Sequence, residues 1–381
     1  MEKKLSRIEA VTLVAGSGIG TGILALPAAV SRIGLFGAIA AYAAAFLLAA
    51  ALSLMIVFLK KRSFHRGDLT GVLEEHLFFG KAAPVLRAVF FILLSVILLE
   101  NLAAYILAAA DVFTELFFLP APVSKLIFFA LSLPVTFFGM KGVGVGEKIS
   151  VAVIAAVVLL LSVCSFFHVK SGFHYVFGSF TGASALYGLF LFAFSAIFAV
   201  TEVCDHIEKP EDAGKAVIGG LVLNALLTAL FCVAAILSSD PVTPVAVLGM
   251  VRDLPLPGVG IMASFFVLFS MLSSFWCSAA AAADMLSARF RMGRKTAWCA
   301  VSVPALLAAL FLPLSLIGFL QVGSGALFII LLLTVLPAFL HAVFRSSPAL
   351  GKKRRVLAAA AACPVFLGVI YGAVSSFFPL S

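Results

Sequence analysis

The sequence predicts an all-α membrane protein with about eleven transmembrane helices, and three observations support this. Hydrophobic residues make up 63% of the 381-residue chain and charged residues 11%, with a mean hydropathy of +1.21, which no soluble domain matches. Apolar runs of roughly 20 residues, the length needed to cross a hydrocarbon core, follow one another along the chain. The basic residues are segregated: of 26 Lys and Arg, all but Arg32, Lys125, Lys170 and Arg252 fall on one set of connections. That asymmetry puts the N-terminus inside and, with an odd span count, the C-terminus outside. It also accounts for the net charge of +9 without nucleic acid.

In chain order the expected spans are 8–30, 35–59, 86–110, 123–140, 149–167, 184–204, 215–237, 257–285, 296–314, 320–344 and 356–378. The first is too long and too polar at its centre for a removable signal peptide, and it lacks an A-x-A cleavage site. A basic stretch at 60–85 holds an amphipathic piece from Leu69 to Phe79. Residues 168–183 and 238–256 read as outer loops, the second a compact lid with Pro241, Pro244, Pro255 and Pro257. No linker divides the helices, so the expected organisation is a single domain over 1–381 in a multi-pass cell-membrane protein, with lipids around it and no partner subunit evident.

Two spans depart from ordinary apolar helices. Gly16, Gly18, Gly20 and Gly22 fall within seven residues near the midplane of the first, and each glycine costs about 1 kcal/mol relative to alanine in a helix. The stretch fits G-x-x-x-G helix packing; it also fits an unwound turn lining a cavity, with free N–H groups for a carboxylate and free carbonyls for an ammonium or Na⁺. The sixth span carries the run Phe192 to Phe198, then Thr201, Glu202 and Asp205. These spans start on opposite faces five helices apart, the parity of an inverted five-plus-five repeat: 1–167 the first copy, 184–344 the second, 356–378 an extra helix.

Acidic and hydroxyl side chains within spans are the remaining signals. Glu100 lies mid-span, with Asp111 three turns further along the same face, roughly 16 Å away. That stripe fits a pathway wall, and Glu100 fits equally a carboxyl bonded between helices. Ser270, Ser273, Ser274 and Ser278 recur at helical spacing, either bonding their own backbone or offering neutral oxygens to a monovalent cation. Six cysteines show no metal spacing, and no catalytic motif is present, so no enzyme and no bound cofactor is expected.

The run Gly16-Ser17-Gly18-Ile19-Gly20-Thr21-Gly22-Ile23-Leu24-Ala25-Leu26-Pro27 resembles the broken first helix of the amino acid–polyamine–organocation superfamily of transporters. Phe192 to Ser195, continuing through Lys209-Pro210 and Lys215-Ala216-Val217, resembles its sixth helix and the loop after it. The lid at Thr243 to Ala246 and the Ser273-Ser274 helix fit too, and the length is most like the aromatic, hydroxy and neutral amino acid permease branches. The resemblance implies a symporter for a small neutral or aromatic amino acid, coupled to Na⁺ or H⁺. It implies that Gly18, Thr21 and Gly22 hold the substrate carboxylate and that Ala193, Phe194, Ser195 and Ala196 take the ammonium. Phe194, Phe198 and Tyr105 bound the side-chain pocket, and Gly16, Ile19, Ser270, Ser273 and Ser274 match a common Na⁺ site, with Glu100 the proton-coupling alternative. Some proton-coupled relatives carry a lysine deep in helix five; here that span reads Val151 to Leu161 without charge, which points away from such a mechanism. Many relatives also place an acid soon after the sixth-helix serine, where this chain has Ala196, Ile197 and Phe198 and reaches its first acid at Glu202. Lys4 and Arg7 before the first helix, with Asp205 and Asp284 after the sixth and eighth, are expected to form an inner gate. A germinant-sensing receptor subunit of the spore-permease type is the alternative reading of the same resemblance.

Overall fold

The computed structural model describes residues 4–63, 69–78, 81–137, 139–170, 172, 174–255, 257–312, 316–344 and 352–375. Its helices, in order, are α1 (Arg7–Gly18), α2 (Thr21–Ile33), α3 (Leu35–Arg62), α4 (Leu69–Leu77), α5 (Ala83–Phe117), α6 (Ala121–Phe137), α7 (Gly139–Phe167) and α8 (Phe180–Ala193). They continue as α9 (Ile197–His206), α10 (Ala213–Ser238), α11 (Ala246–Asp253), α12 (Val259–Phe290), α13 (Arg294–Phe311), α14 (Leu316–Phe344) and α15 (Lys352–Ser375). Among the described residues nine helical segments are long and apolar enough to cross a membrane, ten with the bent α1–α2 pair. The predicted span at 123–140 is the shorter apolar helix α6. The chain is thus an all-helical, multi-pass membrane protein, as its composition predicts.

Both predicted breaks are present. The axes of α1 and α2 diverge by 54° across Ile19 and Gly20, and α8 stops at Ala193 before α9 resumes at Ile197. Contacts in the first half recur in the second. α1 lies on α10 as α8 and α9 lie on α3; α5 lies on α6 as α12 lies on α13; α7 meets α12 and α10 as α14 meets α5 and α3. Each broken pair therefore packs on the helix following the other break, which is how two interlocked copies of one unit bury their interior.

The glycines of the first break serve four different close approaches. A Cβ at Gly16 would fall onto Ser273 Oγ and Glu147 Oε2. At Gly18 it would lie 2.6 Å from the Ala193 carbonyl oxygen and collide with the Asn224 amide; at Gly20, 2.8 Å from Ser274 Oγ and 2.9 Å from Tyr105 Cε1; at Gly22, 3.2 Å from Ala193 Cβ. Packing and unwinding, alternatives in the sequence, occur together: small residues admit α7, α12, α10 and α8 to the point where α1 loses its helix. Asn224 is fully buried; it donates to Ala193 O at 2.9 Å and accepts from Thr228 at 3.1 Å, supporting the end of α8. Tyr42 donates to Ala225 O at 2.6 Å and packs edge-on against Phe190 and Phe194.

The segment before α1 is tied down at its own end of the molecule. Leu5 N donates to His206 O at 2.8 Å and Glu208 N to Leu5 O at 2.9 Å, joining the entry of α1 to the exit of α9. Ser6 and Glu9 form a capping box, and Glu9 also meets Lys141 Nζ of α7 at 2.5 Å. The predicted amphipathic piece is α4, and the rest of its basic stretch, 64–68 and 79–80, lies outside the described residues. The expected lid carries its own helix, α11. It is closed by Asp253, which contacts Arg252 at 2.7 Å, Lys170 at 3.6 Å and Asp240 N at 3.1 Å. The Arg252 hydrogen bond is the main reason that the Asp253 carboxyl titrates near about 2 instead of 3.8.

Two outcomes are expected from this packing. Gly18→Ala, opposed by backbone and by an asparagine bound on both sides, loses about 1–3 kcal/mol of stability. Gly22→Ala, which needs the facing Ala193 methyl group to give by a few tenths of an ångström, loses less, about 1 kcal/mol at most; thermal unfolding of the two purified variants in detergent orders them, and equal melting points contradict the account. In the lid, the depressed Asp253 carboxyl stabilises above its unfolded value of 3.8 and stops doing so as the pH falls through about 2. Since exposed pairs contribute only ~0–1 kcal/mol, Asp253→Asn at neutral pH speeds amide exchange over residues 239–254 by up to about fivefold and leaves the spans unchanged.

Candidate functional site

The two breaks open onto one cavity. It is lined from the first by Ser17, Gly18, Gly20 and Gly22, from the second by Phe192, Ser195, Ala196, Phe198 and Ala199, and from the flanking helices by Asn101, Tyr105, Cys277, Ser278 and Leu327. Its volume of about 30 Å³ has room for one or two waters. A larger solute therefore enters only when the surrounding helices part.

Its electrostatics follow from the helix ends. α2 and α9 begin at the cavity and present N-terminal N–H groups, the positive end of each helix dipole; α1 and α8 stop there and present carbonyls. A solute carrying both a carboxylate and an ammonium matches such an arrangement without any charged side chain. Tyr105, Phe192, Phe198 and Leu327 supply an apolar and aromatic wall.

The expected substrate residues divide on inspection. Gly18, Gly22, Tyr105, Ser195, Ala196 and Phe198 line the cavity. Thr21 opens α2, but its side chain lies outside the described residues. Phe194 is instead fully buried, its ring against Tyr42, Phe46 and Phe190, because the turn after α8 rotates it away from the opening. The Ala193 carbonyl is already bound by Asn224. Glu100 does not line the cavity either; one residue further along α5, Asn101 does.

Beside the cavity the expected cation group converges on a residue that the sequence reading passed over. Ser273 donates to Glu147 Oε2 of α7. Ser274 Oγ lies 3.3 Å from both the Gly16 and the Ser17 carbonyl oxygens, and Ile19 N donates to Gly16 O at 3.1 Å. Ser270 is fully buried, with no hydrogen-bond partner for its hydroxyl. Glu147 is fully buried, and its Oε1 also has no partner. The apolar run predicts the fifth span at 149–167, which leaves Glu147 in a connection, whereas α7 starts at Gly139. Gly142, Gly144 and Gly146 read as a loop, yet they are helical glycines: Gly144 admits Leu5 and Glu9, and Gly146 admits Trp276. A glycine-rich run followed by an acid and then by an unbroken apolar stretch was the available signal.

The four expected gate residues have other surroundings. Lys4 and Arg7 are exposed, Asp205 pairs with Lys60 at 2.5 Å and Asp284 with Arg294 at 3.5 Å. The ion pair that holds the start of α1 is Glu9 with Lys141.

No protein-family model matches the chain, and no curated protein matches it in sequence. Solved structures match it in fold. MHP1, a nucleobase-cation-symport-1 family transporter in a closed conformation with bromovinylhydantoin bound, aligns at TM-score 0.68 and 14% identity over 100% of this chain and 95% of its own. MhsT in complex with L-phenylalanine aligns at TM-score 0.70 and 12% identity, covering 99% of this chain and 98% of its own. The Eremococcus coleocola manganese transporter, in complex with an aromatic bis-isothiourea substituted compound, aligns at 0.67 and 14%, covering 97% and 86%. Across its whole length the chain shares its fold with these three membrane proteins.

Proposed function

We propose that the chain is a secondary active transporter, a symporter for a small neutral or aromatic amino acid, working by alternating access. The observation that carries this reading is the pair of helix breaks facing one cavity. N–H groups at the start of α2, around Thr21 and Gly22, take the substrate carboxylate, the C-terminal end of α8 takes its ammonium, and Tyr105, Phe192 and Phe198 enclose its side chain. Similarity of fold to MhsT, solved with L-phenylalanine, agrees with such a ligand. α1–α2 and α8–α9 move as a unit, since Leu5 stitches their ends together, against a scaffold of α5, α7, α10 and α12.

The coupling group in this reading is Glu147. A carboxylate buried within a span, with one oxygen bonded to a serine and the other to nothing, is unstable there unless it takes up a positive charge. Its position against Gly16, where a Cβ cannot fit, makes it a neighbour of the first break. We assign it a proton in place of Na⁺, because the Ser273 hydroxyl is taken up by Glu147 and the Ser274 hydroxyl by the Gly16 and Ser17 carbonyls, which leaves fewer of the expected oxygens for a sodium ion. Protonation then accompanies closure of α1 onto α7, and release of the proton accompanies its departure.

The decisive measurement is uptake into proteoliposomes with a panel of labelled amino acids, the Na⁺ and proton gradients imposed separately. Saturable uptake that a proton gradient drives and collapse of that gradient stops is the expected result; dependence on Na⁺ overturns the proton assignment, and binding without flux returns the receptor alternative. Glu147→Gln, fixed in the neutral form, is expected to bind substrate within about threefold of the parent and to lose gradient-driven accumulation while retaining exchange. Breaking the Glu9–Lys141 pair by Glu9→Gln or Lys141→Gln raises labelling of cysteine probes along the pathway beside α1. The double variant adds little to either single one; full additivity shows that the two side chains do not act together.

A further inference from the structure

A second cavity opens at the end of the molecule where the basic residues gather, apart from the one between the breaks. Its volume is about 250 Å³, against about 30 Å³ for the other. Lys4 lines it from the segment before α1, Lys60 and Lys61 from the end of α3, Asp205 and Ile207 from the end of α9, and Ala213 from the start of α10. Among the described residues its lining carries three ammonium groups and one carboxylate. Lys60, whose side chain is 3% exposed, pairs with Asp205 at 2.5 Å, and the two charges offset each other. Lys4 and Lys61 are exposed, and among the described residues neither ammonium has an acidic partner. The lining therefore keeps an excess of two positive charges.

We infer that this cavity binds a phosphate group, carried by an anionic lipid headgroup or by the free ion. Like charges facing one space repel, and an anion between them removes the repulsion. Lysines present point charges, which suit the tetrahedral oxygens of a phosphate, whereas a carboxylate is matched best by the planar fork of arginine. Arg62, next in the chain, is turned onto the Phe58 ring at 4.7 Å and takes no part in the lining. The 26-residue α10 starts at the wall and adds the positive end of its dipole, with no side-chain cap bond from Asp212 at its N-cap. Asp212 itself lies 3.8 Å from Lys215. Lys60 and Lys61 occupy the last turn of a 28-residue span, so the cavity lies at the depth of the lipid headgroups. Lys4 precedes Leu5, whose backbone joins α9 through His206 O and Glu208 N. A phosphate held between Lys4 and Lys61 thus ties that junction to α3. Binding itself does not depend on the transport reading; only the consequence for movement of α1 and α9 does.

The test uses the purified full chain in a non-ionic detergent, with native mass spectrometry counting bound lipid and calorimetry measuring affinity. Dioctanoyl phosphatidylglycerol is expected to fill one saturable site, and dioctanoyl phosphatidylcholine, which has no net charge, to bind at least about tenfold more weakly. Displacement by inorganic phosphate in the same concentration range assigns the site to the free ion; displacement only in large excess assigns it to the headgroup. Lys4→Gln and Lys61→Gln are each expected to weaken binding about fivefold, the loss of one lysine's charge near an anionic group. Lys61→Arg, which keeps the charge, restores most of the affinity. Lys148→Gln, at an exposed position on α7 outside the lining, leaves it unchanged. Absence of saturable binding by both phosphatidylglycerol and inorganic phosphate overturns the inference, as does equal binding of phosphatidylcholine. A loss in Lys148→Gln as large as those at Lys4 and Lys61 also overturns it, since that marks diffuse attraction to a basic surface. No measurement requires flux, so failure here and failure of the transport proposal are distinguishable.

Discussion

Backbone groups in hydrocarbon must find partners within the protein, and the architecture depends on how this chain meets that requirement at two places where its helices stop. Each unwound turn exposes N–H and carbonyl groups that water cannot satisfy. At the second break, Asn224 reaches from α10 to the Ala193 carbonyl. At the first, Ser274 reaches from α12 toward the Gly16 and Ser17 carbonyls. Gly18 lies where the two breaks meet, with room for no Cβ between Ala193 and Asn224. The groups left over face the cavity, so ligand-binding capacity comes from backbone polarity that the scaffold has not consumed.

This arrangement explains why so few charged side chains surround the cavity. Helix ends carry partial charges of both signs at fixed positions and bring no large desolvation cost. Glu147, a buried acid nearby, is displaced from the cavity lining and set behind Gly16, against Ser273. In the proposed mechanism this separates two tasks: the breaks recognise the solute, and the acid responds to the ion. The last turn of α1 lies between them, and α1 is also the helix that the Leu5 junction and the Glu9–Lys141 pair hold at its other end.

Charges near the basic end show a related economy. Asp205 is bound to a nearly buried Lys60 beside a cavity that Lys4 also lines, and Asp284 lies near both Arg294 and the Glu202–His206 pair. These ion pairs link α3 to α9 and α12 to α13. Charge alternation along a sequence indicates which residues reach this surface but not which ones meet, since each partner comes from a different helix whose rotation is set by packing elsewhere.

By itself the sequence determined the class and the two weak points among the apolar segments, because hydrophobic length and glycine placement are local properties that the bilayer reads directly. It left open whether glycines at positions 16 to 22 mark close packing alone or a break as well, since one residue type serves both. What only the tertiary structure decided was which side chains face the breaks. Phe194 turned away and Asn101 turned in through the rotation of α8 and α5, which apolar runs of uniform character do not encode. Glu147 was hidden for a sharper reason: glycines that read as a loop are helical here, because Leu5, Glu9 and Trp276 pack into the spaces they leave. A helix stabilised by what its neighbours insert into it cannot be recognised until those neighbours are in place.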